Sequence, residues 1–258
     1  MTTFSGQILE AINFAAELLR EARHTIVLTG AGLSTPSGIP DFRSAGTGLW
    51  SRDEPLEVAS LTTFRTHPER FFEWFRPLAG QMMYAQPNPA HFALARLEGQ
   101  GRLQAVITQN VDMLHHKAGS KRVLEMHGTL RTMSCTQCYK QYGYENFLQA
   151  FIENGTIPHC PACGAILKPD VILFGEQLPQ KTMSEAQKEA RKCDLVMVIG
   201  SSLEVLPVAG LPMQAIDHGA HLIIINNSPT YLNVRADIVM PEDVAKIIPA
   251  IADKVLHG

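Results

Sequence analysis

Thr25-Ile-Val-Leu-Thr29 runs straight into Gly30-Ala-Gly-Leu-Ser-Thr-Pro-Ser-Gly-Ile-Pro-Asp-Phe-Arg-Ser44. A short apolar, β-branched run that stops at glycine reads as a buried strand ending in a tight turn. Gly30 and Gly32, with only Ala31 between them, let the backbone approach a ligand closely. Ser34 and Thr35 add hydroxyl donors, and a helix starting there would aim free N–H groups at a diphosphate. The same spacing suits an ordinary strand-to-helix turn. The next glycine is Gly38, so the dehydrogenase fingerprint Gly-x-Gly-x-x-Gly is not met. The tail is less ordinary: Asp41, Phe42 and Arg43 place an acid, an aromatic and a base side by side after a phosphate-type loop.

Outward from this loop the chain alternates. Residues 7–23 place Ile8, Ile12, Ala15, Leu19 and Ala22 at helical spacing. Buried strands are expected at Gln104–Thr108, Val123–Met126, Val171–Phe174, Leu195–Ile199 and His221–Ile225, with helices over 182–192, 205–218 and 242–256. This pattern predicts an α/β fold: a Rossmann-like, mostly parallel sheet with helices on both faces. Two segments interrupt it. Residues 45–99 hold no convincing strand but several aromatic-rich helical pieces (Phe64, Phe71, Phe72, Trp74, Phe75), and residues 132–167 hold four cysteines. The expected division is a nucleotide-binding domain from 1–44, 100–131 and 168–258. The helical insertion 45–99 and the cysteine insertion 132–167 would form a smaller domain. Ligands in such sheets bind beyond the carboxyl ends of the strands.

Further chemistry-bearing residues fall at predicted strand ends. Thr108-Gln-Asn-Val-Asp112 offers amides and a carboxylate for a polar heterocycle or a ribose, or alternatively a capped turn. Glu125-Met-His-Gly128 places His127, a candidate general base near neutral pH, beside a glycine. Gly200-Ser-Ser202 and Asn226-Asn227 follow two more strands and suit adenosine contacts. Cys135-x-x-Cys138 and Cys160-x-x-Cys163 have metal-ligand spacing. Four thiolates suit tetrahedral zinc with no open position, hence a structural ion, ahead of an iron–sulfur cluster or a redox dithiol. Cys193 reads as a small core residue. His91, His115 and His116 are too scattered to read as a metal site.

The chain has 258 residues, 45% hydrophobic and 18% charged, with a net charge of −3. This excludes a disordered chain and argues against a strongly basic nucleic-acid binder. No apolar run reaches membrane-spanning length. The first residues carry no basic cluster followed by an apolar run and a small-residue cleavage site, so secretion is not expected. The clustered thiols fit a reducing, cytoplasmic compartment.

Taken together these segments resemble the sirtuin family, the NAD-dependent protein-lysine deacylases. The resemblance rests on Gly30–Arg43, Thr108–Asp112, His127-Gly128, the cysteine quartet, Val171-Ile-Leu-Phe-Gly-Glu176, Gly200–Leu203 and the Asn226 segment. It runs from about residue 8 to the C-terminus, in the compact form of bacterial and archaeal members.

The resemblance implies NAD as co-substrate, with its diphosphate over Gly30–Thr35 and its adenosine near Gly200, Ser201, Ser202, Asn226, Asp243 and Val244. Gln109 would hold the nicotinamide ribose. Asn110 and Asp112 would position the nicotinamide amide with Ala31, Ile39 and Phe42. It further implies that nicotinamide leaves, that the acetyl oxygen of an acetyl-lysine attacks the ribose, and that His127 acts as general base on a ribose hydroxyl. The products would be free lysine and O-acetyl-ADP-ribose. An extended acyl-lysine peptide would pair with Val171–Glu176, using Ile172, Phe174, Gly175 and Glu176. Members that prefer acidic acyl groups carry Tyr-x-x-Arg in the helical insertion. Here Glu73 stands three residues before Arg76, so neutral acyl groups are expected.

Three other classes share parts of this pattern: a protein ADP-ribosyltransferase, a non-catalytic NAD sensor, and a zinc-ribbon nucleic-acid binder supported only by Tyr139-Lys-Gln-Tyr-Gly-Tyr144. The reading adopted is a cytoplasmic, monomeric deacetylase that contacts neither membrane nor nucleic acid and binds one structural zinc ion.

Overall fold

The structure is a computed structural model that describes residues 4–41 and 55–258. In chain order the elements are α1 (Gly6–Glu21), β1 (Thr25–Thr29), α2 (Pro55–Val58), α3 (Leu61–Thr66), α4 (Pro68–Tyr84), α5 (Pro89–Gly99), β2 (Ala105–Thr108), α6 (Leu114–Lys117), β3 (Val123–Glu125), β4 (Gly128–Cys135), β5 (Gln141–Gly143), α7 (Glu145–Asn154), β6 (Leu167–Val171), α8 (Gln180–Lys192), β7 (Leu195–Ile199), α9 (Leu211–Asp217), β8 (His221–Ile225), β9 (Ile238–Met240) and α10 (Val244–His257).

Six strands form one all-parallel sheet in the order β3-β2-β1-β7-β8-β9. Every residue of β1 and β7 is buried, as their unbroken apolar sequences require of strands covered on both faces. Alternate residues serve alternate faces. Val27, Val106, Met197 and Ile223 pack with α1, α5 and α10. Ile26, Leu28, Ile107, Val198 and Ile224 pack with α8 and α9. The chain leaves β1 toward β2 on one side and returns at β7 on the other, so the topological switch point lies between β1 and β7.

A separate three-stranded antiparallel sheet has the order β5-β4-β6. Beside it Phe71, Phe72, Phe75 and Phe151 build an aromatic core; Phe71 and Phe75 stack at 5.4 Å and Phe72 meets Phe151 edge to face at 5.4 Å.

Several features differ from the sequence reading. Strands β4 and β5 and helix α7 form where no element was expected, and the helix expected over 205–218 is confined to α9, Leu211–Asp217. The strand expected at Val171–Phe174 lies earlier, at Leu167–Val171, and it pairs with β4 rather than joining the parallel sheet. Its alternating burial marks a one-sided strand, and of the apolar residues 171–174 only Val171 and Leu173 enter the aromatic core, while Phe174 is exposed. Strand β9 was not expected, since three residues are too short to register as a periodic run. Helix α5, read with the helical insertion, packs Ala90, Ala93, Leu94 and Leu97 into the core shared with α1 and α10. Its apolar stripe is aliphatic and small, unlike the aromatic stripe of α4.

The switch point is closed by backbone. Gly30 N–H donates to the Ile199 carbonyl at 3.1 Å and Gly32 N–H to the Gly200 carbonyl at 2.9 Å. Gly200 has φ +61°, and a Cβ there would press into the Leu33 amide and the Gly32 carbonyl carbon. A Gly200→Ala variant should therefore lose about 2–4 kcal/mol of unfolding free energy. Urea denaturation measures this, and a loss below 1 kcal/mol would show that the interlock yields.

Candidate active site

The loop after β1 forms two short 3-10 turns, Ala31–Leu33 and Thr35–Ser37, and ends on Gly38 at φ +84°. A cleft of about 900 Å³ opens beside it, a size suited to a small-molecule ligand. One wall is the loop itself, including Gly32, Thr35, Ile39 and Asp41; the far side is Asn226, Glu242, Asp243 and Val244. The facing wall comes from α4, through Trp74, Pro77, Leu78 and Gln81. The α4 residues were absent from the sequence-derived site. Nothing in their spacing separates a cleft wall from a core stripe, because the wall forms only when the insertion folds over the sheet. Phe42 and Arg43 lie outside the described residues.

Behind the loop is a buried polar cluster. Asp112, 3% exposed, accepts from Ser34 Oγ at 2.6 Å and from the Leu114 amide at 2.9 Å. Burial pushes its carboxyl above the ordinary carboxylate value, against the pull of those two bonds and of Lys117. Asn110 donates from Nδ2 to the Gly30 carbonyl at 3.0 Å and to Ser34 Oγ at 3.2 Å. Ser34 thus joins the two residues; the sequence offered it only as one more hydroxyl on the loop. Gln109 accepts from Ser201 Oγ at 2.8 Å, which ties the end of β2 to the end of β7. Ser202 follows on the same turn.

His127 is partly buried, with Nδ1 3.0 Å from the Gln109 carbonyl. That carbonyl can only accept, so Nδ1 carries the proton and Nε2 keeps its lone pair. Burial lowers the imidazole below its ordinary value, against the bond to Gln109. The arrangement is a neutral imidazole presenting a free base nitrogen.

On the far side of the cleft, Asn226 donates to the Ser228 carbonyl at 2.7 Å and Asp243 caps α10 by accepting from the Ala245 amide at 2.9 Å. Both therefore hold turns while lining the cleft. Val244 is buried.

The segment after β6 is largely satisfied already. Ile172 N–H donates to the His127 carbonyl, and Phe174 uses both backbone groups on Ala59 and Leu61. The Glu176 carboxylate takes Lys168 Nζ at 2.9 Å and the Leu173 amide at 2.8 Å. Among the described residues no hydrogen bond reaches the Gly175 amide, so the capacity for strand pairing narrows from the whole run 171–176 to its tip. Arg76 donates to the Ile152 and Glu153 carbonyls at 2.8 and 2.7 Å, at the C-terminus of α7. Glu73 is exposed and off the cleft wall, so the expected repulsion of acidic acyl groups by Glu73 does not arise there.

The four cysteine Sγ atoms lie within 4.8 Å of one another. The closest pairs are Cys135–Cys163 at 3.4 Å and Cys138–Cys160 at 3.6 Å. Zinc at ~2.3 Å from each sulfur needs tetrahedral edges of about 3.8 Å, so the quartet fits the ion. The Gln137 and Cys138 amides both point at Cys135 Sγ at 3.4 Å, which offsets thiolate charge.

A doubly wound sheet with a glycine loop, an amide–carboxylate–imidazole cluster at its switch point and a four-thiolate ribbon defines a nucleotide-using α/β protein with a structural metal. The chain belongs to the Sir2 family, which residues 30–207 match. A protein of Archaeoglobus fulgidus named NAD-dependent protein deacylase 2 is 45% identical over 247 residues, covering 95% of this chain and 96% of that one. The NAD-dependent protein deacetylase 2 of Caldanaerobacter subterraneus subsp. tengcongensis is 45% identical, covering 88% and 89%. A Sir2 structure described with p53 peptide and NAD+ superposes with a TM-score of 0.84 at 38% identity, covering 92% of this chain and 95% of that one. A Sir2 histidine-to-alanine variant with deacetylated p53 peptide and 3'-O-acetyl ADP ribose gives 0.88 at 37%, covering 94% and 98%.

The purified chain should carry about one zinc per molecule. Cys160→Ser should lose the ion and melt at least about 5 °C lower. Metal analysis and thermal melting check this; a stoichiometric ion retained in the variant would remove Cys160 from the ligand set.

Proposed function

We propose that the protein is an NAD-dependent protein-lysine deacetylase. The observation that carries the reading is His127, held by Gln109 through Nδ1 so that Nε2 keeps its lone pair, at the end of the strand that pairs with the one carrying Asn110 and Asp112. NAD supplies the ADP-ribosyl group that receives the acetyl and releases nicotinamide. In this reading the glycine loop from Gly30 to Thr35 holds the diphosphate, and Asn226 and the Asp243-Val244 turn face the adenosine. Asn110 and Asp112 orient the nicotinamide amide, with Ser34 fixing both. Gln109 and Ser201 set the ribose. His127 Nε2 accepts the proton of a ribose hydroxyl as that oxygen attacks the acetyl carbon.

The peptide would bind at the tip of the 172–176 segment. The Lys168–Glu176 pair shapes that loop, so Glu176 acts through the loop's conformation. The acyl chain would meet the uncharged α4 wall of Trp74, Pro77, Leu78 and Gln81, and Arg76 is committed to capping α7. Neutral acyl groups are therefore preferred. The two sheets support the division into a large nucleotide-binding domain and a small one. A net charge of −3 counts against nucleic-acid binding, and four clustered cysteines without a disulfide suit the reducing cytoplasm; a monomer is the simplest assembly for this reading. Among the described residues no helix is long and apolar enough to cross a membrane.

Incubation with NAD and an acetyl-lysine peptide should release nicotinamide only when the peptide is present, with free lysine and O-acetyl-ADP-ribose formed together by mass. Release without peptide, or ADP-ribose found on protein, would replace deacetylation with NAD hydrolysis or ADP-ribosyl transfer. His127→Ala should keep NAD binding and lose about 10²–10⁴-fold in deacetylation. A base works unprotonated, and burial holds His127 below its ordinary value. The acid limb of kcat/KM should therefore rise with an apparent pKa below 6.5 and be level above it. An acid limb centred above 6.5 contradicts the assignment.

On acyl choice, kcat/KM for a succinylated peptide should be at least about tenfold below that for the acetylated one. Equal rates would show that a cation reaches the acyl chain.

A further inference from the structure

The turn at the end of the 172–176 segment is closed from three sides. Glu176 N–H donates to the Leu173 carbonyl at 2.9 Å, and Gly175 at φ +89° takes the left-handed position that a type II turn requires. The Glu176 carboxylate returns the bond, accepting the Leu173 N–H on Oε2 at 2.8 Å. Phe174 N–H donates to the Ala59 carbonyl at 3.0 Å, and the Phe174 carbonyl accepts from Leu61 at 2.9 Å.

A carboxylate on a turn would ordinarily swing out into water. Lys168 of β6 holds this one in. Its Nζ donates to Glu176 Oε2 at 2.9 Å, to the Val171 carbonyl at 2.7 Å and to the Pro169 carbonyl at 3.1 Å. An ammonium has three donors, and all three are used. The two side chains are only 16% and 20% exposed, so removing one would leave the other's charge shielded and without its counter-ion. Asp170, next on the same face of β6, does not compete for the ammonium. Its carboxylate accepts from Thr132 Oγ1 and Gln141 Nε2.

Strand β6 is itself fixed beside the base. Lys168 stands opposite Ser134 and Pro169 opposite Met133 in the ladder with β4. Gly128, directly after His127, pairs with Val171, and Ile172 N–H donates to the His127 carbonyl at 2.8 Å. The lysine therefore grips the same short run of backbone that passes His127.

We propose that Lys168 is a positioning residue for the peptide site. By binding the Pro169 and Val171 carbonyls and the Glu176 carboxylate at once, it locks the turn that carries the Gly175 amide onto β6 and so sets its place relative to His127. The proposal rests on the reading of that tip as the peptide site. Without the ammonium, Glu176 keeps a shielded charge with one N–H donor, and turning outward to water becomes its cheapest course. The Leu173 amide then loses its acceptor, and reordering the turn draws on the peptide's binding energy. Neither Lys168 nor Glu176 lines the cleft beside the glycine loop, so the cost falls on the peptide and not on NAD.

The test uses the full chain, with NAD and an acetyl-lysine peptide as probes. Lys168→Met keeps an unbranched stem and removes the charge. It should raise KM for the peptide about tenfold or more, with kcat and KM for NAD each within about threefold. Lys168→Arg restores a cation with several donors and should recover most of the loss. Glu176→Ala should give a similar rise, and the double variant with Lys168→Met should be no worse than the poorer single one. Amide exchange followed by NMR reads the turn without turnover: the Leu173 N–H should exchange at least about tenfold faster in Lys168→Met. An unmoved KM for the peptide, equal rises in both KM values, additive effects in the double variant, no recovery in Lys168→Arg, or a Leu173 amide as protected as in the wild type overturns the proposal. Should Lys168→Met not fold, Lys168→Gln, which keeps a polar end, carries the same readouts. A wild-type chain that neither binds the peptide nor consumes NAD sinks the functional reading, while the Leu173 amide still shows whether Lys168 holds the turn.

Discussion

Between β1 and β7 the chain has no side chains to spare. Gly30 and Gly32 lean on Gly200, and a Cβ on Gly30 would stand 2.7 Å from the Gly200 carbonyl oxygen. A side chain on Gly30 or Gly200 is excluded, so the hydrogen bonds that join the two loops run between amide and carbonyl groups. Backbone N–H and C=O groups buried at such a junction must pair with each other, and they do so at 2.9–3.1 Å. The switch point of a doubly wound sheet is where a crevice opens. Here the junction sets its floor, and the loop above it is free to take the sharp course through Ala31–Ser37.

A floor made of backbone gives the polar side chains fixed points to hold. Asn110 grips the Gly30 carbonyl, Ser34 links Asn110 to Asp112, and Gln109 links Ser201 to His127. Each of these groups is partly or fully out of water, where an unpaired polar atom costs roughly 1–3 kcal/mol. The cluster therefore has few arrangements that satisfy it. Rigidity of this kind is what a site needs when it must orient one small heterocycle and present one base nitrogen.

The large sheet was legible because buried parallel strands write themselves as apolar runs, and because polar residues at their ends share one edge. Gly30, Asn110, His127, Gly200 and Asn226 all fall just after strands of that sheet, where the rule put them, and the cysteine quartet comes together as its spacing required. What escaped was set by tertiary packing. The wall from Trp74 to Gln81 has the same helical spacing whether it faces a core or a cleft. The true span of β6 depends on its pairing with β4. The apolar run 171–174 followed the strand rule, but it sends Val171 and Leu173 into the aromatic core and leaves Phe174 exposed. The commitment of Arg76 to α7 cannot be read from the residues beside it, since Ile152 and Glu153 are more than 70 positions away.

The turn from Gln109 to Lys117 joins these parts. Its first residue holds His127, the next holds the glycine loop, Asp112 holds Ser34, and His115 contacts Thr29. Its last residue, Lys117, binds the carbonyls of Met83 and Ala85 at the C-terminus of α4, where a cation is favoured by the helix dipole. Helix α4 in turn carries the cleft wall. A nine-residue stretch thereby ties His127, the glycine loop and the α4 wall to one backbone. Loss of any one of these bonds would loosen two parts of the molecule at once, because each is anchored to the same short backbone.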